Sequence, residues 1–190
     1  MTTGRLEAFS DGVIAILITI MVLELKVPHD ASFTALRPIL PIFLSYVLSF
    51  IYIGIYWNNH HHLMAAAKTV TGPILWANLH LLFWLSLIPF ATAWAGVNSF
   101  ASHPVALYGV VLICAGTAYY ILARALVSND GKRSRLFHAI GKDNKGKFSV
   151  LIYAAAVGLS FFNPRTAYAL YFVVAMMWLV PDKRIENVMK

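Results

Sequence analysis

The sequence predicts an all-α, polytopic membrane protein with six transmembrane helices. Of its 190 residues, 59% are hydrophobic and only 12% are charged, whereas a soluble domain carries about 25% charged residues. Apolar runs of about 17–25 residues, the length that crosses a bilayer, recur along the whole chain. We predict a single domain, residues 1–190, with spans at residues 8–25, 39–59, 73–94, 104–127, 148–162 and 166–180.

Proline residues delimit the first three spans. The first span ends before Pro28, and Pro38 and Pro41 lie near the start of the second. Pro73 suits the first turn of the third span, where its missing N–H costs nothing. Inside a helix proline removes a hydrogen bond and clashes with the preceding turn, so Pro89 predicts a kink within the third span.

The last three spans differ in length. The fourth begins at about Pro104 and is long enough to cross a bilayer. The fifth and sixth are shorter and are joined by Asn163-Pro164-Arg165, which predicts a tight helical hairpin. Pro181 ends the sixth span.

Lysine and arginine residues predict that the N- and C-termini are both cytoplasmic. With this orientation, twelve of the 15 basic residues lie inside and three lie outside, as the positive-inside rule requires. We interpret the basic loop at 128–147 as part of this topology signal, in contact with anionic lipid, rather than as a ligand site. The inside set is Arg5, Lys68, Arg124, Lys132, Arg133, Arg135, Lys142, Lys145, Lys147, Lys183, Arg184 and Lys190, and the outside set is Lys26, Arg37 and Arg165.

Several functional classes are excluded by composition and motifs. The net charge is +7, but the basic residues stand between apolar runs and no nucleic-acid-binding motif is present, so nucleic acid is not an expected partner. Cys114 is the single cysteine, which leaves no disulfide or thiolate metal cluster to predict. No phosphate-binding loop, serine-hydrolase elbow or zinc-protease motif occurs. We therefore expect no enzyme activity and no cofactor.

Asp11 is a carboxylate inside the predicted first helix, where an ionisable group is costly and marks a functional or architectural site. The first two spans are antiparallel, so Asp11 lies level with the run Trp57–His62, whose indole, amide and imidazole groups can bind it; Arg5 is another possible partner. We interpret these residues as a polar cluster that ties the helices together, and Asn78 in the third span as an interhelical hydrogen-bonding residue. A metal site is disfavoured because consecutive histidines point about 100° apart on a helix. A proton relay through Asp11 and histidine stays open.

An aliphatic stripe follows Asp11 along the first helix. Ile16, Ile20 and Leu23 recur at i, i+4 and i+7, and Thr19 stands one step aside. Ordinary helix packing in lipid would produce the same spacing. Rings of aliphatic side chains also close pores by excluding water, so the stripe is also a candidate wall of a narrow path.

Three segments resemble a known family of membrane proteins. Arg5-x-x-x-Phe9-Ser10-Asp11 resembles the signature opening of the transmembrane protein 175 family of potassium channels. Trp57-x-x-His60-His61-x-Leu63 resembles its companion motif in the second helix, and Trp76-x-Asn78-Leu79 in the third helix is also similar. His62 departs from the pattern, in which a basic residue such as arginine is expected.

The resemblance implies both assembly and activity. Bacterial members carry one six-helix unit per chain and form homotetramers in which helix one lines a central pore. They conduct potassium without a Thr-Val-Gly-Tyr-Gly filter and with weaker selectivity. On this chain, Ile16 would be the main hydrophobic constriction, Ile20 and Leu23 further layers, and Thr19 a hydroxyl layer linked to cation preference. The residues implied to orient the pore helix are Arg5, Phe9, Ser10, Asp11, Trp57, His60, His61 and Asn78.

The expected function is therefore a homotetrameric, potassium-preferring cation channel of a bacterial plasma membrane. Its expected partners are potassium ions, further copies of the chain and membrane lipids, with no metal bound beyond potassium in transit. A second hypothesis is a small proton-coupled secondary transporter that uses Asp11 and His60 or His61 as titratable sites. Neither an internal repeat nor a broken mid-membrane helix is evident, which favours the channel. A third hypothesis is a structural or lipid-handling membrane protein that conducts no ions.

Overall fold

The computed structural model describes residues 2–67, 69–130 and 144–179, and the regular secondary structure of these residues is entirely helical. Short 3₁₀ segments at Met21–Glu24 and Phe33–Ile39 extend the first helix and lead into the second. The helices are α1 (Thr3–Ile20), α2 (Leu40–Ala66), α3 (Gly72–Ser86), α4 (Ile88–Val97), α5 (Ser102–Asp130), α6 (Asn144–Leu159) and α7 (Pro164–Leu179). The end of the sixth predicted span and eight residues of the inside basic set lie outside the described residues: Lys68, Lys132, Arg133, Arg135, Lys142, Lys183, Arg184 and Lys190.

Four segments are long and apolar enough to cross a membrane. They are Thr3–Glu24, Phe33–Ala66, Gly72–Val97 and Ser102–Asn129. Helices α6 and α7 have 16 residues each, which corresponds to about 24 Å of helix. The predicted all-α, multi-pass architecture is confirmed, and its last two helices are short, as expected.

Two helices extend beyond their predicted apolar runs. Helix α1 begins at Thr3 rather than at about Ala8, and α2 continues to Ala66 rather than ending at about Asn59. Hydropathy marks only the apolar part of a helix, whereas backbone hydrogen bonding continues wherever polar side chains find partners. The additional turns contain Glu7, His60 and His61, three of the polar residues through which α1, α2 and α3 contact one another.

Proline and asparagine residues mark the division of the third span and the hairpin between α6 and α7. The third span is divided at Leu87 into α3 and α4, with Pro89 in the first turn of α4, so the predicted kink is confirmed. After α6, the Asn163 Oδ1 atom accepts a hydrogen bond of 3.1 Å from the Thr166 backbone N–H. Asn163 thus caps α7, and Pro164 is its first helical residue.

Buried hydroxyl groups join α2 to the rest of the helix bundle. Ser49 Oγ lies 2.5 Å from Thr92 Oγ1 and 2.8 Å from the Tyr108 hydroxyl, which connects α2 with α4 and α5. The Tyr52 hydroxyl donates a hydrogen bond of 2.6 Å to the backbone carbonyl of Tyr171, which connects α2 with α7. In a membrane, where apolar surface alone does not drive helices together, such contacts fix helix positions.

Gly96 allows α4 to approach the backbone of α2. A Cβ atom at this position would lie 2.7 Å from Ile42 Cα and 2.5 Å from Ser45 Oγ. We expect Gly96→Ala to lower the free energy of unfolding by about 1–3 kcal/mol, because a backbone atom of α2 cannot move aside as a side chain can. Thermal melting of the purified protein in detergent measures this change. Gly54→Ala is the control, since a Cβ there meets nothing within 4 Å; an equal loss in both variants would contradict the close approach.

Candidate functional site

A directional chain of buried hydrogen bonds joins the first three spans. Asn78 Oδ1 lies 2.8 Å from His60 Nε2, and Asn78 Nδ2 donates a bond of 3.0 Å to Ser10 Oγ. The Ser10 hydroxyl in turn donates to the backbone carbonyl of Leu6 at 2.9 Å. All three side chains are fully buried. Because an amide oxygen only accepts, His60 Nε2 is the donor, and one asparagine side chain therefore links α2 to α1.

Two further contacts form a ladder between α1 and α2. The Trp57 indole donates a hydrogen bond of 3.0 Å to Asp11 Oδ1, and His61 Nδ1 lies 2.6 Å from Glu7 Oε1. Asp11 and Glu7 are four residues apart, as are Trp57 and His61, so each pair lies on one helix face and the antiparallel helices match them in register. The rings of Trp57 and His61 are also stacked, with centroids 6.4 Å apart. The ladder sets the rotation of α1 relative to α2.

The partner of Asp11 is thus Trp57, one of the groups expected to bind it. The histidines have other partners: His60 binds Asn78 and His61 binds Glu7. Glu7 is a contact that the sequence analysis missed. Its signal was its position one turn before Asp11, which places both carboxylates on one face of the helix.

Arg5 and Phe9 are not part of these contacts. Arg5 is exposed at the start of α1, and among the described residues it forms no ion pair with Asp11. Phe9 is 51% exposed and lies on the side of α1 that carries the aliphatic stripe. Six of the predicted anchoring residues are therefore brought together, and these two lie on the surface of the single subunit.

The histidine run does not form a metal site in the described part of the chain. His60 faces α3 and His61 faces α1, as expected from the rotation of about 100° per helical residue. No group of three or more His, Cys, Asp or Glu side chains that could hold a metal ion occurs within the described residues.

Helix α1 and the 3₁₀ segment that extends it have two opposite faces. Leu6, Ser10, Ile14, Leu17 and Met21 are buried against the rest of the subunit. The other face carries exposed aliphatic side chains, with Ile16 59%, Ile20 40% and Leu23 69% accessible. The whole predicted stripe therefore projects away from its own subunit.

Thr19 lies on the exposed face. Its hydroxyl hydrogen-bonds to the backbone carbonyls of Ala15 and Ile16, each at 3.0 Å. A hydroxyl that donates to its own helix leaves oxygen lone pairs directed outward. The exposed face thus carries one hydroxyl oxygen between aliphatic side chains.

The fold and these contacts define a class of protein, the polytopic helical membrane proteins. In this one, polar side chains near the start of the first helix bind α2 and α3, and an apolar face of the same helix is not covered by its own subunit. Residues 5–89 match the model of the family described as endosomal/lysosomal potassium channel TMEM175. The chain is 57% identical over 190 residues to a potassium channel of Chryseobacterium sp. strain P1-3, covering 100% of this chain and 99% of that relative. The chain therefore belongs to the TMEM175 family of potassium channels.

Two other relatives extend the comparison. The fold is similar to the crystal structure of a lysosomal potassium-selective channel TMEM175 homolog from Chamaesiphon minutus, with a TM-score of 0.83 and 28% identity over 95% of this chain and 97% of that one. An endosomal/lysosomal proton channel TMEM175 of Gallus gallus is 33% identical over 103 residues, which make up 48% of this chain and 21% of that protein. The first relative matches nearly the whole chain, and the second matches only part of a longer protein.

Proposed function

We propose that four copies of this chain form a potassium-preferring cation channel in a bacterial plasma membrane, with α1 lining the pore on the symmetry axis. The observation that carries this proposal is the two-sided character of α1. Its polar end is fixed to α2 and α3, while its aliphatic face is left uncovered by its own subunit. Ions pass down their gradient, and no bond is made or broken.

The distribution of buried residues supports assembly through the first spans. In the most apolar 18-residue stretch of each span, the share of residues buried within the subunit is 28% for Thr3–Glu24 and 50% for Ser102–Asn129. The first span is thus the least covered of the four and α5 is central to the subunit. A closed ring of subunits that places α1 inward would cover the first span and enclose a path that one small subunit cannot enclose alone.

In this assembly, Ile16 forms the main constriction. Four isoleucine side chains meeting at an axis exclude water, and conduction requires α1 to rotate or move outward. Ile20 and Leu23 form further layers over about 10 Å toward the outer face. Thr19 lies between Ile16 and Ile20 and offers oxygen atoms that partly replace the hydration shell of a cation, which gives a preference among cations.

The polar contacts set the position of this pore helix. The Glu7–His61 and Asp11–Trp57 pairs hold α1 against α2, and Asn78 holds its buried face against α3. We place these contacts at the cytoplasmic end, because both termini are expected inside.

Potassium conduction is tested with purified protein in vesicles loaded with potassium in a sodium medium. A pH-sensitive dye reports proton entry that compensates potassium efflux after a protonophore is added. We expect strong dye quenching that depends on the protein and weakens when sodium replaces potassium inside. No quenching after protonophore addition, with protein verified in the vesicles, would refute the channel.

Proton permeation is a second candidate, favoured by the name of the Gallus gallus relative as a proton channel. The same assay separates the two. Quenching before the protonophore is added means that the protein itself carries protons. Flux of potassium that requires proton movement in a fixed ratio would instead favour the proton-coupled transporter.

Asp11 is expected to support assembly. We predict that Asp11→Ala lowers the yield of assembled tetramer and destabilises the subunit by about 1 kcal/mol, because the Trp57 indole loses its acceptor and α1 loses part of its rotational constraint. Size-exclusion chromatography with mass determination measures the tetramer fraction. Glu24→Ala, which removes an exposed carboxylate at the other end of the span, is the control. Normal assembly of Asp11→Ala with an altered pH response of flux would favour a proton-relay role instead.

A further inference from the structure

A partly open cavity of about 450 Å³ lies between α2, α5, α6 and α7, away from the exposed face of α1. It extends from the end of α7, at Trp178, to Tyr52 and Tyr153 in the interior. The lining residues of α6 run from Gly146 to Tyr153, so the cavity extends about 10 Å along that helix. Its volume is in the range of roughly 300–1,000 Å³ that is typical of sites for small organic ligands.

The walls of the cavity are largely apolar and aromatic. The little-exposed Tyr52, Tyr56 and Tyr153 contribute rings in the interior, and the exposed Tyr120 and Val150 line the more open part. At Gly116 a Cβ atom would have no neighbour closer than the Tyr56 hydroxyl at 3.7 Å, so the wall there is bare backbone with space beside it. Such a surface accepts a hydrocarbon chain.

The mouth of the cavity is positively charged. Lys147 lines it with an exposed side chain. Next to it, the Lys145 ammonium lies 4.7 Å from the ring centroid of Trp178, whose indole donates a hydrogen bond of 2.8 Å to Ser149 Oγ. Within the described residues, the cavity lining contains no carboxylate. Tryptophan and lysine at the end of an apolar cavity match the boundary between lipid tails and head groups.

From this arrangement we infer that the cavity binds an anionic phospholipid, with one acyl chain among the tyrosine rings and its phosphate at Lys147. The site is separate from the proposed pore, and lipid binding there does not depend on ion conduction. The charge at the mouth discriminates against zwitterionic lipids, because a lysine near the membrane surface attracts a net negative head group. The apolar interior favours a lipid over free phosphate, because free phosphate has no acyl chain to bury there.

The acyl-chain part of the inference is tested by filling the cavity. The full-length protein is released from nanodiscs of equal phosphatidylglycerol and phosphatidylcholine, and retained lipids are counted by native mass spectrometry. We expect Val150→Trp to remove most of the retained phosphatidylglycerol. Leu151→Trp is the matched control: it places the same side chain on the neighbouring residue, which is 64% exposed and does not line the cavity. Equal retention in the two variants would overturn the site.

The head-group part is tested with Lys147→Gln. We expect retention of phosphatidylglycerol relative to phosphatidylcholine to fall about fivefold, the effect of one lysine near a membrane surface. Arg165→Gln, which removes the same charge from the α6–α7 hairpin, should leave the ratio unchanged. Unchanged lipid preference in Lys147→Gln would overturn the inference, as would displacement of the lipid by millimolar inorganic phosphate alone.

Discussion

Replacing Ile16 with asparagine is expected to raise the potassium leak of the reconstituted protein and to weaken its discrimination between potassium and sodium. Ile16 is 59% exposed on the uncovered face of α1, where four copies would form the narrowest layer. A ring of amide groups holds water that an aliphatic ring excludes, which lowers the barrier to a hydrated ion. If the free-energy barrier to ion passage falls by about 1.4 kcal/mol, the flux increases tenfold. Vesicle flux assays with potassium and sodium measure both effects.

Val22→Asn provides the control on the same span. Val22 is 45% exposed but, in the 3₁₀ segment that follows α1, lies about 80–120° around the helix axis from Ile16. It introduces the same amide without placing it at the proposed constriction. If both variants leave the flux unchanged, Ile16 is not the gate; if Val22→Asn alone increases the flux, the pore faces another side of α1.

Replacing Asn78 with leucine is expected to cause the largest loss of stability. Asn78 is fully buried and bonds to both His60 and Ser10, so its removal leaves the buried His60 ring without a partner and leaves Ser10 only its bond to the Leu6 carbonyl. His60 already has an unpaired Nδ1 atom, which leaves it no alternative bond among the described residues. Each unsatisfied buried group costs about 1–3 kcal/mol, so the melting temperature and the yield should both fall strongly.

Asn98→Leu is the matched control for this loss. Asn98 is exposed, and its side chain donates only to the Trp94 carbonyl of its own helical turn. The two variants carry the same chemical change, and thermal melting in detergent compares them. Similar melting temperatures would show that the hydrogen-bond chain from α2 to α1 adds little to stability.

The fold was largely predictable because a bilayer demands long apolar runs and leaves few alternatives. The division of the third span followed from Pro89, and the α6–α7 hairpin from Asn163 and Pro164. The ends of α1 and α2 were not predictable from hydropathy. The added turns at the start of α1 contain Glu7, and those at the end of α2 contain His60 and His61, which bind partners on neighbouring helices.

The sequence was enough to predict most of the residues that form the candidate site, but not which of them bind each other. Its residues were recognisable as polar groups near the same membrane level. That Trp57 rather than a histidine binds Asp11, and that Glu7 binds His61, depends on the rotation of α1 and α2 about their axes. Likewise, spacing showed that Ile16, Ile20 and Leu23 share a face, but only the packing of α1 revealed that this face is uncovered.

The most direct test of the account is the effect of silver ions on potassium flux through the Ile16→Cys variant. Cys114 is the single cysteine, so a Cys114→Ser background leaves one thiol to react. Thiolates bind soft monovalent metal ions tightly, and a bound ion in a narrow ring obstructs the path. We predict that silver abolishes potassium flux through Ile16→Cys and spares Val22→Cys. Flux that persists in Ile16→Cys while silver blocks Val22→Cys would contradict the proposal that the Ile16 face of α1 lines the pore.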